Sequence, residues 1–349
     1  MKGIKICILS LTIVSLWSCN GKGEHGNEEI YHFKTEVIHK TTPVKDQGNS
    51  NACWAYAMLS MIESEHLTVD DSVNLSTAYV ERMRMNEEAI KYYLADGQYR
   101  FITRGTGMTL IHSIMRYGVM PYDSYKNDFD ISDRVVSRRL AVAGNTAINN
   151  KVRLKNWQNK IDGILDDTYG PMPRNVYMLG AQYTPLEFAH SVCHKDEYMA
   201  LTSFTHHPFN TSFELEIPDN WEHDEFMNIP IERLTTLVEK ALRSGHTAVW
   251  EGDSSEPGFS FRKGIAILTG NKPINQSERQ KEFEQLETSD NHTMHIIGIA
   301  HDQYGKEFFV MKNSWGTSNP YHGLMYMSVD YFKIKTVAVF IPTAVFTEK

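Results

Sequence analysis

Four residues of this chain have the types and the spacing that thiol chemistry requires. Cys53 lies six residues after Gln47, and His292 and Asn313 follow far downstream. In such a set a thiolate attacks a carbonyl carbon, a histidine takes the thiol proton, and an asparagine amide orients the imidazole. The side-chain amide of Gln47 and the backbone N–H of Cys53 would then donate hydrogen bonds to the developing oxyanion. The pattern predicts nucleophilic catalysis at Cys53.

The choice of base lies among three clustered histidines, His292, His295 and His301. His292 and His295 are three residues apart on a predicted strand, so their side chains point to opposite faces. The same geometry argues against a zinc site, because histidines at i and i+3 of a strand cannot converge on one metal. His206 and His207 are predicted to be a structural pair. No metal and no cofactor is therefore expected.

The elements that must position these residues are helices in the first part of the chain and strands in the last. Apolar residues at helical spacing after Cys53 predict a buried helix that begins at the cysteine, where the helix dipole lowers a thiol pKa. Further helices are predicted over 77 to about 95, 109–117, one or two within 133–167, from 185 and over 230–244. Strands are predicted over 247–250, 259–268, 293–299, 307–311, 324–328 and 336–341. The predicted fold class is α+β, with a helical lobe carrying Cys53 and a sheet lobe carrying His292 and Asn313.

The sequence around these residues resembles the papain family of cysteine peptidases, and within it the bleomycin hydrolase and aminopeptidase C branch. The likeness runs from about 42 to 341, and its motifs are Gln47-Gly48-x-x-x-x-Cys53-Trp54-Ala55, His292 six residues before Gly298, and Asn313-Ser314-Trp315-Gly316. It implies a papain-like fold of a helical lobe and a β-barrel-like sheet lobe. It also implies that Cys53, His292, Asn313 and Gln47 are nucleophile, base, orienting amide and oxyanion donor. His292 lies 239 residues after Cys53, against about 130–150 in papain and the cathepsins, which predicts a helical insertion at about 133–190.

The same resemblance implies which residues contact a peptide substrate. Gly107 and Thr106 correspond to the stretch where the family's glycine pair lets the substrate backbone approach, although Thr106 departs from that pattern. A helix-capping loop is the alternative interpretation there. Trp54 and Trp315 are expected to pack around the site.

Relatives in that branch are aminopeptidases whose C-terminal arm blocks the cleft, and they assemble as hexamers. The resemblance therefore implies an aminopeptidase, with a homo-oligomer as a possible assembly. Only 343–349 follow the last predicted strand, which is shorter than the family arm. An endopeptidase of the same mechanism and a catalytically idle peptide-binding lipoprotein remain alternatives, as does acyl transfer to another amine.

The first 30 residues predict export. Residues 1–18 have a positive start and an apolar run, and Leu16-Trp17-Ser18-Cys19 resembles a bacterial lipobox, so Cys19 is the predicted lipidation site. An ordinary signal peptide or a signal anchor is the alternative. Residues 19–30 form a predicted tether and 31–349 the peptidase domain, held in the cell envelope by its lipid. Cys53 and Cys193 would remain in the folded part, and a disulfide between them is the alternative interpretation of Cys53.

Composition limits the remaining classes of function. The chain has 349 residues, 41% of them hydrophobic, and a formal net charge of −8. No stretch forms a basic stripe, so nucleic-acid binding is not expected. Peptides are the expected partners.

Overall fold

The computed structural model describes residues 31–126, 131–178 and 180–347. The predicted signal peptide, Cys19 and the tether lie outside these residues. Within the described part of the chain, no helix is both long and apolar enough to cross a membrane.

The first half of the fold is mainly helical. Its elements in chain order are β1 (Lys34–Ile38), α1 (Cys53–Thr68), α2 (Thr77–Leu94), α3 (Gly107–Tyr117), α4 (Asp133–Asn149), α5 (Leu154–Tyr169), β2 (Val176–Met178), β3 (Ala181–Tyr183) and α6 (Pro185–Val192). The predicted insertion thus contains α4, α5, a short hairpin and α6. Thr184 caps α6 in a reciprocal pair with Glu187, and Pro185 takes the first helical position.

The second half supplies most of the sheet. Its elements are β4 (Tyr198–Thr202), β5 (Thr211–Glu214), β6 (Glu225–Asn228), α7 (Ile231–Arg243), β7 (Ala248–Gly252), β8 (Phe259–Ser260), β9 (Ile265–Ala266), α8 (Gln276–Glu284), β10 (His292–His301), β11 (Glu307–Lys312), β12 (Leu324–Ser328), α9 (Val329–Lys335), β13 (Thr336–Pro342) and α10 (Thr343–Thr347). The strand order is β5-β6-β4-β13-β7-β10-β11-β12-β9-β8, and β1 also pairs with β10.

Two hydrophobic cores lie on the two faces of this sheet. Alternate residues of one strand enter different cores, as the strand period of two requires. Phe340 of β13 packs with the helical lobe, whereas Val339 and Ile341 pack with α7 and α9. Helix α1 crosses β10 and β7 on the helical-lobe face. The α+β prediction with a helical lobe and a sheet lobe is confirmed.

Several details differ from the sequence-based expectation. The predicted strand 259–268 is wrong, because only the two-residue strands β8 and β9 form there, on either side of a turn. Gly264 occupies the left-handed region in that turn with φ of +68°, and a Cβ there would lie 2.3 Å from the Tyr321 ring. Helix α8 was not expected because its sequence is almost wholly polar and shows no apolar period. The side chains that α8 buries are charged rather than apolar, since Arg279 and Glu282 are fully buried.

Candidate active site

Cys53 is the first residue of α1, where the helix N–H groups have no partner within the helix. It is 8% exposed, and its thiol contacts the hydroxyl of Thr293 on β10 at 3.9 Å. The preceding loop is held by two hydrogen bonds. The Ala52 N–H donates to the Ser50 hydroxyl at 3.1 Å, and the Asn51 N–H donates to Asp133 of α4 at 2.7 Å. The insertion therefore supports the nucleophile loop directly.

The disulfide interpretation of Cys53 is wrong. Cys53 and Cys193 are both free thiols. Cys193 follows α6 in the helical-lobe core, where burial raises its pKa to about 12. It is therefore an inert apolar side chain at neutral pH.

His292 and Asn313 meet at the ends of neighbouring strands. His292 begins β10 and Asn313 follows β11, which pairs with β10. The distance from His292 Nε2 to Asn313 Oδ1 is 2.9 Å, and the Ser314 N–H donates to the same oxygen at 2.7 Å. Because this oxygen can only accept, Nε2 carries the proton and Nδ1 keeps a lone pair. The amide thus selects the tautomer in which Nδ1 is the base.

Trp315 covers this hydrogen bond. Its ring stacks on the His292 ring with centroids 4.4 Å apart and planes inclined by 26°. Phe259 and Phe261 pack edge-on against the Trp315 ring. An apolar cover of this kind excludes water, which would compete for the imidazole N–H.

His295 occupies the other face of β10, as the parity argument predicted. Its Nδ1 lies 2.9 Å from the Ser60 hydroxyl on α1. Burial, with contributions from Lys312 and His39, holds its pKa well below the ordinary value. His295 is therefore a neutral, buried side chain that does not contact Asn313.

The thiol and the imidazole are both neutral at neutral pH. Burial raises the pKa of Cys53, and the Arg104 charge and the Thr293 hydrogen bond oppose it in part. Burial lowers the pKa of His292 to about 4, against the opposing effect of its bond to Asn313. An unprotonated imidazole can accept the thiol proton.

Gln47 joins the nucleophile loop to the Asn313 loop. Its backbone N–H donates to Ser314 O at 2.8 Å, and the Ser314 hydroxyl donates to its Oε1 at 2.6 Å. Its Nε2 donates one hydrogen to Ser50 O at 2.7 Å. Since an amide nitrogen carries two hydrogens, the second remains for another acceptor.

Three of the residues predicted to contact substrate are buried in the helical lobe, and their contact with a substrate stays a prediction. Trp54 is 2% exposed and belongs to the helical-lobe core. Thr106 is fully buried and is the residue that caps α3, so the helix-capping interpretation describes it. At Gly107 a Cβ would lie 2.9 Å from Met58 and from the Phe340 ring. The absence of a side chain at Gly107 therefore makes room for this core packing, and its contact with a substrate stays a prediction.

A group of charged residues beside the thiol was not assigned from the sequence. Arg104 Nε donates to both carboxylate oxygens of Asp219, at 2.9 and 2.8 Å, and its Nη2 donates to the Asp290 carbonyl. Carboxylate oxygens of Asp219, Glu251 and Asp290 lie within 4.8 Å of one another. The one available signal was Glu251, a charged residue immediately after the predicted strand 247–250.

His206 and His207 share one carboxylate on the surface. Their Nε2 atoms lie 3.2 and 2.6 Å from the two oxygens of Glu216. Each ring also packs against Phe213. The expectation that no metal binds there stays a prediction.

Loss of the Asn313 side chain is expected to slow the chemical step. In Asn313→Ala the imidazole loses the acceptor that fixes its tautomer, so we expect kcat to fall about 100-fold with little change in KM. Steady-state kinetics on a fluorogenic peptide measure this. Unfolding by urea checks the stability of the variant. The control is Asn319→Ala, which removes another asparagine from the same loop region. If kcat/KM of Asn313→Ala fell only because KM rose, with kcat unchanged, the assigned role would be contradicted.

Comparisons with known proteins place the chain in a family. A family model described as the Peptidase C1-like family matches residues 173–349. "Cysteine proteinase 1, mitochondrial" of Saccharomyces cerevisiae strain S288c is 22% identical over 86% of this chain and 74% of its own length. The crystal structure of PepW from Lactobacillus rhamnosis HN001 has a TM-score of 0.68 at 17% identity, covering 89% of this chain and 82% of that one. Bromelain from Ananas comosus gives a TM-score of 0.43 at 15% identity, with 86% and 93% covered.

The two-lobed fold, with a cysteine at a helix start, is papain-like. The chain belongs to the Peptidase C1-like family and is a papain-like cysteine peptidase.

Proposed function

We propose that this protein hydrolyses peptide bonds with Cys53 as nucleophile, His292 as base and Asn313 as the group that orients the base. The observation that carries the proposal is the hydrogen bond from His292 Nε2 to Asn313 Oδ1, at 2.9 Å. It leaves the lone pair of Nδ1 free to take the thiol proton. Without that bond, either ring nitrogen could carry the proton.

The reaction proceeds in two halves. The Cys53 proton moves to His292 Nδ1, and the thiolate sulfur bonds to the substrate carbonyl carbon. The Cys53 N–H and the second Nε2 hydrogen of Gln47 stabilise the oxyanion. The C–N bond then breaks, and the leaving amine takes the proton from His292. In the second half a water gives a proton to His292 and attacks the thioester, which releases the acid and restores the thiol.

We further propose that peptides are cleaved from their N-termini. The likeness to the aminopeptidase C branch supports this. In the part of the chain that the structure describes, the C-terminal residues lead away from His292. Strand β13 begins at Thr336, which pairs with Gly252, and Gly252 in turn pairs with His292. The strand ends at Pro342, about 20 Å further along at the usual rise per residue. Helix α10 then packs on α7, where Arg233 lies over the Phe346 ring at 5.6 Å. The proposal therefore assigns recognition of an N-terminus to other described groups.

One fluorogenic peptide, with a free or an acetylated N-terminus, tests the proposal. We expect the free peptide to be cleaved at least about tenfold faster, because an acetyl group removes the ammonium charge. Equal rates would contradict the aminopeptidase assignment and favour an endopeptidase. No turnover of either peptide, with unimpaired binding, would favour the idle peptide-binding protein. Attachment to the cell envelope through Cys19 stays a separate proposal.

A further inference from the structure

Asp219, Glu251 and Asp290 form an acidic group beside the thiol. One of its carboxylates is fully buried and has no hydrogen-bond partner in the described part of the chain. Glu251 has no exposed surface, and neither of its carboxylate oxygens has a hydrogen-bond partner among the described residues. The N–H of Gly107 at the start of α3 lies close enough to favour its charged form. Its geometry falls short of a hydrogen bond. A buried polar group of this kind costs free energy unless something binds it.

The other two carboxylates of the group are already hydrogen-bonded. Asp219 accepts from Arg104 through both oxygens, and the Asp219 N–H donates to Asp290 Oδ2 at 3.1 Å. Three carboxylates thus face one guanidinium. If all were ionised, the group would carry an excess of negative charge. Burial, Asp290 and Asp219 raise the pKa of Glu251 well above its ordinary value, which favours its protonated form.

Strand register places this group next to the nucleophile. Glu251 pairs with Thr293 across β7 and β10, and Thr293 contacts the Cys53 thiol at 3.9 Å. Directly opposed residues have Cβ atoms about 5 Å apart on one face. Glu251 also shares its face with Val249, which packs into the helical-lobe core. The unpartnered carboxyl therefore lies on the side of the sheet that carries the thiol.

We propose that Asp219, Glu251 and Asp290 bind a primary ammonium group of the peptide substrate. The inference rests on the proposed peptidase function and assigns the site that recognises its substrate. An ammonium carries three donors and one positive charge. It would give the Glu251 oxygens their missing partners and neutralise one unmatched negative charge. Arg104, whose side chain is partly exposed, holds Asp219 in place through two hydrogen bonds.

Two parts of a peptide carry a primary ammonium: its α-amino group and a lysine side chain. Both offer the same chemistry to the three carboxylates. They differ in where the scissile bond then falls, since an anchored α-amino group limits the enzyme to the N-terminal end of a peptide. The two sources are separated by acetylation of the N-terminus and by replacement of lysine with norleucine.

Binding would also release a proton. Four groups act on the Glu251 carboxyl: Asp219, Asp290, Arg104 and the Gly107 N–H. In the free protein burial and the two acidic neighbours favour the protonated form of its carboxyl. An arriving ammonium favours its ionised form, so the carboxyl loses its proton as the ligand binds. Glu251→Gln resembles the protonated side chain and is expected to fold, but it cannot ionise.

The test measures binding by the full chain carrying Cys53→Ala, so that no peptide is consumed. Four peptides are used, with a free or acetylated N-terminus and with lysine or norleucine at the second position. Isothermal titration calorimetry at pH 7 in phosphate and in Tris gives the affinities and the protons released. We expect peptides with the recognised ammonium to bind about tenfold more tightly and to release protons. Both effects should be lost in Cys53→Ala with Glu251→Gln.

Glu81→Gln in the same background is the matched control. Glu81 is likewise buried, with both oxygens unpartnered and a pKa raised by burial and Asp133, but it lies on α2. The Glu81→Gln variant should leave the ratio of affinities for peptides with and without the recognised ammonium unchanged.

Equal affinity for all four peptides, or discrimination that survives Glu251→Gln, would overturn the inference. Calcium binding at the group without any peptide discrimination would overturn it as well. These outcomes are independent of turnover by the protein with Cys53 intact, so failure of the ammonium site and failure of the peptidase assignment are distinguishable.

Discussion

Cys53→Ala is expected to abolish peptide hydrolysis, with kcat lowered roughly 10⁴-fold or more. The variant removes the sulfur that forms the thioester in the proposed mechanism, while the imidazole and the oxyanion donors remain. Alanine fits the first position of α1 without strain, because it has the highest helix propensity. We therefore expect no loss of stability. The measurement is the single-turnover rate on a fluorogenic peptide, with urea unfolding to check the fold.

Cys193→Ala is the control for Cys53→Ala, since both residues are free thiols. Cys193 lies in the helical-lobe core, so this variant should keep full activity and lose a little stability. If Cys53→Ala kept more than a few per cent of the wild-type rate, or if Cys193→Ala lost as much, the nucleophile would be misassigned.

Lys335→Met is expected to have the largest effect on stability, lowering the free energy of unfolding by about 3 kcal/mol. The Lys335 side chain is fully buried at the end of α9. Its Nζ contacts Glu256 and Glu282 at 2.5 Å each, and donates to Glu287 O at 2.9 Å. Methionine fills a similar volume but leaves these oxygens without their donor. Glu282 keeps Lys272 at 2.6 Å, which limits the loss.

Lys333→Met is the matched control for this effect. Lys333 lies in the same helix and pairs with Glu232 at 2.6 Å, but that glutamate is 66% exposed. Exposed pairs contribute roughly 0–1 kcal/mol, so the urea midpoint should move little. Equal shifts of the urea midpoint in the two variants would show that the buried contacts of Lys335 stabilise the fold no more than the exposed pair of Lys333.

Much of the site was predictable because it depends on local sequence. Cys53 begins a run of apolar residues at helical spacing, and α1 begins there. His292 and His295 differ in strand parity, and the structure places them on opposite sides of β10, at Asn313 and at Ser60. Periods of 3.6 and 2 residues can be read from a few consecutive positions.

The acidic group was not predictable because its members are distant in sequence. Arg104 reaches Asp219 over 115 residues, and Asp219 reaches Asp290 over 71. Neither pairing leaves a local pattern. The burial of Trp54, Thr106 and Gly107 was not predictable for a related reason, since a motif matches residue types but not which side of a loop faces the core. Whether a glycine makes room for a substrate or for Phe340 is decided by tertiary packing.

Direct detection of the thioester tests the central claim that Cys53 carries the acyl group. The full chain is mixed with an activated peptide ester, quenched in acid within a turnover, digested and analysed by mass spectrometry. The account predicts one acylated peptide, modified at Cys53, which disappears as hydrolysis continues and is absent from Cys53→Ala. Hydrolysis that proceeds without any adduct on Cys53, or with the acyl group on another residue, would contradict it.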